Sequence, residues 1–145
     1  MSLNLIAPLI MTQAVLPAMR ANKFGRIVNI GSRAALGKSG RTIYGGTKAG
    51  LAGMTRTWAL ETAADGITVN AIAPGPIATD LFLASNPPEL PQTKKIAASI
   101  PVGRFGEPEE MAAAVAFLVS DDSSFMTASN FLVDGGISGA YVTPL

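Results

Sequence analysis

The stretch Gly25-Arg26-Ile27-Val28-Asn29-Ile30-Gly31-Ser32 decides how the chain reads. It is short, rich in β-branched residues and bounded by glycines, which predicts a strand. A Gly/Ser-rich loop over 31–42 follows, then a long helical stretch from about Ile43 to Ala64. Asp65-Gly66 closes that helix, with glycine where helices commonly end. Ile67-Thr68-Val69-Asn70-Ala71-Ile72 repeats the strand pattern and stops at Pro74-Gly75-Pro76. Phe131-Leu132-Val133 is a third strand, ended by Asp134-Gly135-Gly136. Upstream, Leu5, Leu9, Val15, Leu16 and Met19 fall at helical spacing over 5–20, and Pro17 is placed to kink or shorten that helix. Glu107 to Val119 reads as another helix, with Pro108 near its first turn and acidic residues facing the positive end of its dipole. Between 80 and 104 four prolines predict irregular chain, with room for a short helix near 92–99.

Apolar strands alternating with helices predict a parallel sheet covered on both faces. The expected fold class is α/β: a partial doubly wound, Rossmann-like sheet forming one partial domain over 1–145. Three strands make a narrow sheet with unpaired edges, so part of the fold is expected to lie upstream of these residues. The chain alone is expected to be marginal as a monomer.

The composition narrows the chemistry. Of 145 residues, 48% are hydrophobic and 14% charged, which fits a globular core and not disorder. A net charge of +1, with no basic cluster standing out, gives no reason to expect a nucleic-acid partner. Cys and His are both absent, which removes disulfides, thiol nucleophiles, imidazole catalysis and the usual zinc ligands. No metal site is expected, and a cytoplasmic location is the default. The apolar run at the N-terminus lacks a preceding Lys or Arg, so it makes a poor signal peptide. Gln13 and Arg20 interrupt it, and it reads as too short to span a membrane.

Any catalyst must therefore use Ser, Tyr, Lys, Arg, Asp, Glu or Asn. Tyr44 and Lys48 are four residues apart and share one face of the long helix. A phenol alone is a weak acid/base at neutral pH, and a nearby ammonium favours the phenolate. Ser32 follows the first strand and Pro74-Gly75 follows the second, at the carboxyl edge where parallel sheets gather ligands. Gly37-Lys38-Ser39 imitates a phosphate-binding loop, but five residues separate Gly31 from Gly37 where that loop needs four.

Taken in order, Gly25 to Ser32, Tyr44-Gly45-Gly46-Thr47-Lys48-Ala49-Gly50-Leu51 and Ile67 to Gly75 resemble the short-chain dehydrogenase/reductase family, with a 3-oxoacyl-acyl-carrier-protein reductase flavour. Asn4-Leu5, Gly103-Arg104-Phe105-Gly106-Glu107-Pro108 and Val133-Asp134-Gly135-Gly136 extend the match from about residue 4 to 138. The resemblance implies hydride transfer between NAD or NADP and a carbonyl or secondary alcohol, the substrate being a small molecule, free or linked to an acyl carrier. It implies Tyr44 as general acid or base, Lys48 as the group that tunes Tyr44 and holds the nicotinamide ribose, and Ser32 as a donor to the substrate oxygen. Asn4 matches the family's helix Asn, which positions a water in a proton relay; capping of the first helix is the alternative. Pro74, Gly75, Ile77 and Thr79 match the segment that contacts the nicotinamide end. The small residues Gly46, Ala49, Gly50 and Gly53 match a dimer-forming helix, so a homo-oligomer, dimer or tetramer, is implied; packing within the chain is the alternative.

Two features depart from the family. Its Gly-rich phosphate-binding turn and its Asn-Asn-Ala-Gly stretch do not occur in these 145 residues, so the N-terminal cofactor half is read as missing. The isolated chain is then expected to show little or no activity, and a truncated fragment that only self-associates is the competing reading. Gly45 and Gly46 also stand where Ala or Ser is more usual, costing roughly 1 kcal/mol each in a helix and loosening the hold on Tyr44.

Overall fold

The structure is a computed structural model that describes residues 1–139. The single domain expected over 1–145 thus extends slightly outside the described residues. In chain order the elements are α1 (Ala7–Ala21), β1 (Gly25–Ile30), α2 (Thr42–Thr62), β2 (Ile67–Pro74), α3 (Asp80–Ser85), α4 (Pro91–Ala98), α5 (Pro108–Val119) and β3 (Asn130–Val133). The three strands form one parallel sheet in the order β1-β2-β3. Gly25 pairs with Ile67 and Ile30 with Ile72, while Ala71 to Pro74 pair with Asn130 to Val133.

The central strand carries the core. Every residue of β2 from Ile67 to Ala73 is buried, as expected of a strand flanked and covered on both faces. On one face Ile27, Ile67 and Val69 pack with Trp58 and Ala59 of α2 and with Leu9, Leu16 and Met19 of α1. Arg26, one residue out of phase with Ile27, lies 3.7 Å from Asp121 just beyond α5, which covers the other face. Asn70 is fully buried and satisfied: its amide donates to the Met126 carbonyl and its side-chain oxygen accepts the Ser129 N–H. Those bonds seat the chain that leads into β3.

α1 differs from expectation in two ways. Its backbone continues through Pro17 to Ala21, and a π-helical turn over Ser2–Ile6 precedes it. Ser2–Ala21 is thus one helical run of 20 residues with mean hydropathy 1.4, long and apolar enough by length and composition to cross a membrane. The expectation that it is too short fails because Gln13, Pro17 and Arg20 all sit on its exposed side. There they leave the packed stripe of Leu9, Leu16 and Met19 intact. Arg20 and Lys23 both pair with Asp65, tying the end of α1 to the end of α2. At Gly66 the backbone turns left-handed at φ 73, which a glycine adopts without strain.

The segment 80–104 is more ordered than its prolines suggest. Thr79 caps α3 by accepting the Phe82 N–H, and Pro91 opens α4 from its first turn. α5 begins with a capping box between Glu107 and Glu110, and Arg104 grips Glu110 with two bonds of 2.8 and 2.7 Å. Those charge-assisted bonds hold the Glu110 carboxyl down to about 2, with the Arg104 guanidinium the larger cause and the Glu107 amide the next.

Two outcomes follow from this packing. Because Glu110 is depressed in the folded state, its contribution is present above its ordinary value of 4.5 and is lost as pH falls toward 2. Acid titration of thermal stability should show that loss, and Glu110→Gln should remove it. Asn29 donates to Thr55 Oγ1 at 2.8 Å inside the α2–β1 interface. Thr55→Val strands the Asn29 amide and should cost about 2 kcal/mol in denaturant melts, whereas adding Asn29→Leu should recover part of that loss.

Candidate active site

The site is built where β1 ends against the start of α2. Ser32 has an extended backbone, and its Oγ accepts the Ala34 N–H at 3.1 Å, capping the short turn Arg33–Leu36. With that oxygen fixed as an acceptor, the hydroxyl hydrogen remains available to donate. The turn lies directly on α2: a Cβ on Gly45 would come within 3.0 Å of the Ala34 carbonyl. Gly45 thus fits a close approach, where an added Cβ would require the Ala34 carbonyl to give by a few tenths of an ångström. Gly46 has no such neighbour, and its Cβ position is open space.

Tyr44 stands in the first turn of α2 and is 41% exposed. One turn on, Lys48 Nζ donates to the Ile30 carbonyl at 2.7 Å and lies 5.9 Å from the centre of the Tyr44 ring. Burial of the ammonium lowers the Lys48 pKa below the usual lysine value. The lysine thus links the last residue of β1 to the phenol of α2. Its bond to Ile30 uses one of three N–H donors and leaves two free.

Asn4 is drawn into the same place. It lies in the π-helical turn, where no side chain caps the helix, so the capping alternative is not realised. Its amide donates to Thr47 Oγ1 at 3.4 Å, and Thr47 Oγ1 in turn donates to the Tyr44 carbonyl at 2.8 Å. Asn4, Arg41, Tyr44 and Thr47 line an open groove of about 540 Å³. Thr47 was not singled out from the sequence; its place between Tyr44 and Lys48 was the available hint, since a buried helical Thr needs a partner.

The segment 74–79 sits at the same carboxyl edge of the sheet but borders a different hollow. Pro74 pairs with Val133, Gly75 N–H donates to the Val133 carbonyl, and Ile77 bridges to Gly106. Pro76 and Ile77 line a cavity of about 110 Å³ together with Ile100, Val102 and Asp134. Thr79 uses its side-chain oxygen to cap α3 and so keeps its hydroxyl hydrogen. Lys48 lies over the Tyr44 ring, and Asn4 reaches the Tyr44 backbone through Thr47. Ser32 is bonded to the Ala34 N–H in the turn that lies on α2, and residues 74–79 share only the edge of the sheet.

The donor set suits the nicotinamide end of a dinucleotide: a lysine with spare N–H groups, a phenol and a seryl donor at one strand edge. Among the described residues no group of His, Cys, Asp and Glu could hold a metal.

Comparison with known proteins agrees with this architecture. The family model described as enoyl-(acyl carrier protein) reductase matches residues 1–138. Acetoacetyl-CoA reductase of Rhizobium meliloti (strain 1021) is 47% identical over 134 residues, covering 92% of this chain and 55% of that protein. A 3-oxoacyl-acyl-carrier-protein reductase of Haemophilus influenzae is 42% identical over 138 residues, covering 94% and 56%. The crystal structure of levodione reductase superposes with a TM-score of 0.88 at 38% identity, covering 95% of this chain and 56% of that one. A blue fluorescent protein from a metagenomic library, solved in complex with NADPH, superposes at 0.83 with 37% identity, covering 94% and 54%. The chain spans about half the length of the curated relatives it matches. Ordered motifs, a parallel sheet with Ser32, Tyr44 and Lys48 at one edge and these matches lead to one assignment: the chain belongs to the short-chain dehydrogenase/reductase family.

Proposed function

We propose that this chain is the catalytic half of an NAD(P)-dependent reductase that moves hydride between a nicotinamide cofactor and a carbonyl or secondary alcohol. The observation that carries the reading is the bond from Lys48 Nζ to the Ile30 carbonyl, which sets the ammonium beside Tyr44 at the strand edge that also holds Ser32. The relatives named for acetoacetyl-CoA and for 3-oxoacyl carrier substrates support a 3-oxoacyl thioester as the carbonyl compound. The NADPH complex of one structural neighbour supports NAD or NADP as the cofactor.

The cofactor, when bound, supplies or accepts the hydride. The chain's own residues do the rest. Ser32 donates its hydroxyl hydrogen to the substrate oxygen, and the Ala34 N–H at its Oγ makes it the better donor as negative charge develops there. Tyr44 delivers a proton to that oxygen during reduction and removes it during oxidation. Lys48 holds the ribose with its two remaining N–H groups and places positive charge beside the phenol. Asn4, through Thr47, fixes the turn of α2 that carries Tyr44 and orders water on the path to Lys48. Pro74, Gly75, Ile77 and Thr79 border the nicotinamide end, Thr79 with a free hydroxyl hydrogen.

Self-association belongs to the same reading. Cβ positions at Gly46 and Gly53 are open, Ala49 is exposed, and Leu60 is 80% exposed two turns beyond Gly53. Gly50 belongs instead to packing within the chain, because its Cβ would meet Leu5 at 3.1 Å.

The 145-residue chain should not oxidise NADPH with acetoacetyl-CoA by itself. Co-expressed with the glycine-rich N-terminal half of a relative, it should do so, and Tyr44→Phe should lower that rate by about 10²- to 10⁴-fold. Turnover by the chain alone, or an unaffected Tyr44→Phe variant, would contradict the assignment. Sedimentation should show a concentration-dependent dimer that Gly53→Arg converts to monomer; a sharp monomer of the unaltered chain at all concentrations would leave no role for the open helix face.

A further inference from the structure

Arg41 is fixed through its backbone and left free in its side chain. Its N–H donates to the Lys38 carbonyl at 3.1 Å, and its carbonyl accepts the Gly45 N–H at 2.7 Å. Among the described residues its guanidinium forms no ion pair. The first acidic residue in the chain is Glu61, near the far end of α2. Arg41 is also the residue from which α2 starts, and it suits that place poorly. A helix start favours side chains that accept the free amides, whereas arginine offers donors only. No side-chain bond caps α2 there. The charge of Arg41 adds to the positive end of this 21-residue helix instead of opposing it. Arg41 nevertheless borders the groove beside Asn4, Tyr44 and Thr47, and among the described residues that line the groove it alone has a charged side chain.

A residue that breaks a local rule on the wall of a reaction groove is explained by what it meets in that groove. We propose that Arg41 is a specificity-determining residue that grips a free carboxylate on the substrate. The planar fork of a guanidinium takes both oxygens of a carboxylate at once, which fixes orientation as well as position. Arg41 and Tyr44 stand about one turn apart at the start of α2, with roughly 5–6 Å between Cβ atoms at that spacing. A carboxylate held by Arg41 therefore lets a carbonyl a few carbons away reach the phenol. The carboxylate undergoes no bond change; it decides which end of the substrate enters and how the carbonyl is turned. This rests on the reductase reading and adds one feature to its substrate, because a thioester group is uncharged and gives Arg41 nothing to pair with.

Titration of the 145-residue chain with 4-oxopentanoate, its uncharged methyl ester and acetate, followed by NMR, tests this without turnover. The result is separable from the reductase assignment, which turnover with the N-terminal half decides. The oxo acid should bind at least about five-fold more tightly than the ester. It should also bind more tightly than acetate, which has the carboxylate and lacks the carbonyl. Arg41→Gln should remove the preference for acid over ester. Arg41→Lys should keep part of it, because the charge remains and the fork is lost. Arg56→Gln, at an exposed cation further along α2, should leave it unchanged. Arg41→Asp should abolish it yet melt no lower than the unaltered chain, since a negative charge suits that end of the helix. Loss of binding is then distinguished from loss of the fold. Equal binding of acid and ester, a preference that survives Arg41→Gln, equal loss in the Arg56 variant, or an Arg41→Asp chain that melts lower would overturn the proposal. Acetate as tight as the oxo acid would leave only affinity for a bare anion. NADP that displaces the oxo acid only when Arg41 is present would assign the guanidinium to the cofactor. Either result would overturn it as well.

Discussion

The structure depends on how closely α2 can lie across the carboxyl end of β1. Three contacts define that approach: the missing Cβ at Gly45 against the Ala34 carbonyl, the bond from Lys48 to the Ile30 carbonyl, and the buried pair of Asn29 with Thr55. Together they hold the helix against the strand at three points. Sheet and helix could pack in several ways if only Trp58, Ala59, Ile67 and Val69 decided it, because apolar contact is not directional. The polar contacts select one of those ways. The same contacts bring the phenol, the ammonium and the seryl hydroxyl to one edge, so packing and chemistry share one constraint.

The edges of the sheet show the other side of this arrangement. β2 is fully buried, whereas β1 and β3 each have a single strand neighbour and remain partly open. Ile30 and Leu132 are about half exposed at those edges. A chain spanning about half the length of its relatives thus keeps a complete core around β2 while leaving strand edges that further chain or a second copy can cover. The candidate site lies by the open edge of β1, where Lys48 is bonded to the Ile30 carbonyl and Tyr44 is 41% exposed, and it is held there by α2 and by the pairing of β1 with buried β2.

Much of this was legible in the sequence, and the reasons differ by element. The strands and α2 were readable because apolar runs and glycine stops change sharply at Gly25, Gly31 and Gly66. The pairing of Tyr44 with Lys48 followed from helical spacing alone. α3 was hidden because six residues give no periodicity, although Thr79-Asp80 is a proper cap. The helical spacing over 5–20 marked α1, whereas its unbroken course was hidden because Pro17 suggests a kink and Gln13 and Arg20 break the apolar run, although all three fall on the solvent side. The close fit at Gly45 was invisible, since an approach between residues eleven apart is a tertiary fact.

The account stands or falls on the shared position of the three groups proposed as catalytic. A crystal structure of the chain fine enough to place side-chain oxygens would test it most directly. The account requires Lys48 Nζ on the Ile30 carbonyl, with Ser32 Oγ and the Tyr44 hydroxyl both within roughly 3 Å of one point where a substrate oxygen could sit. Density that turned the Tyr44 ring away from Ser32, or that sent Lys48 out to solvent, would contradict it.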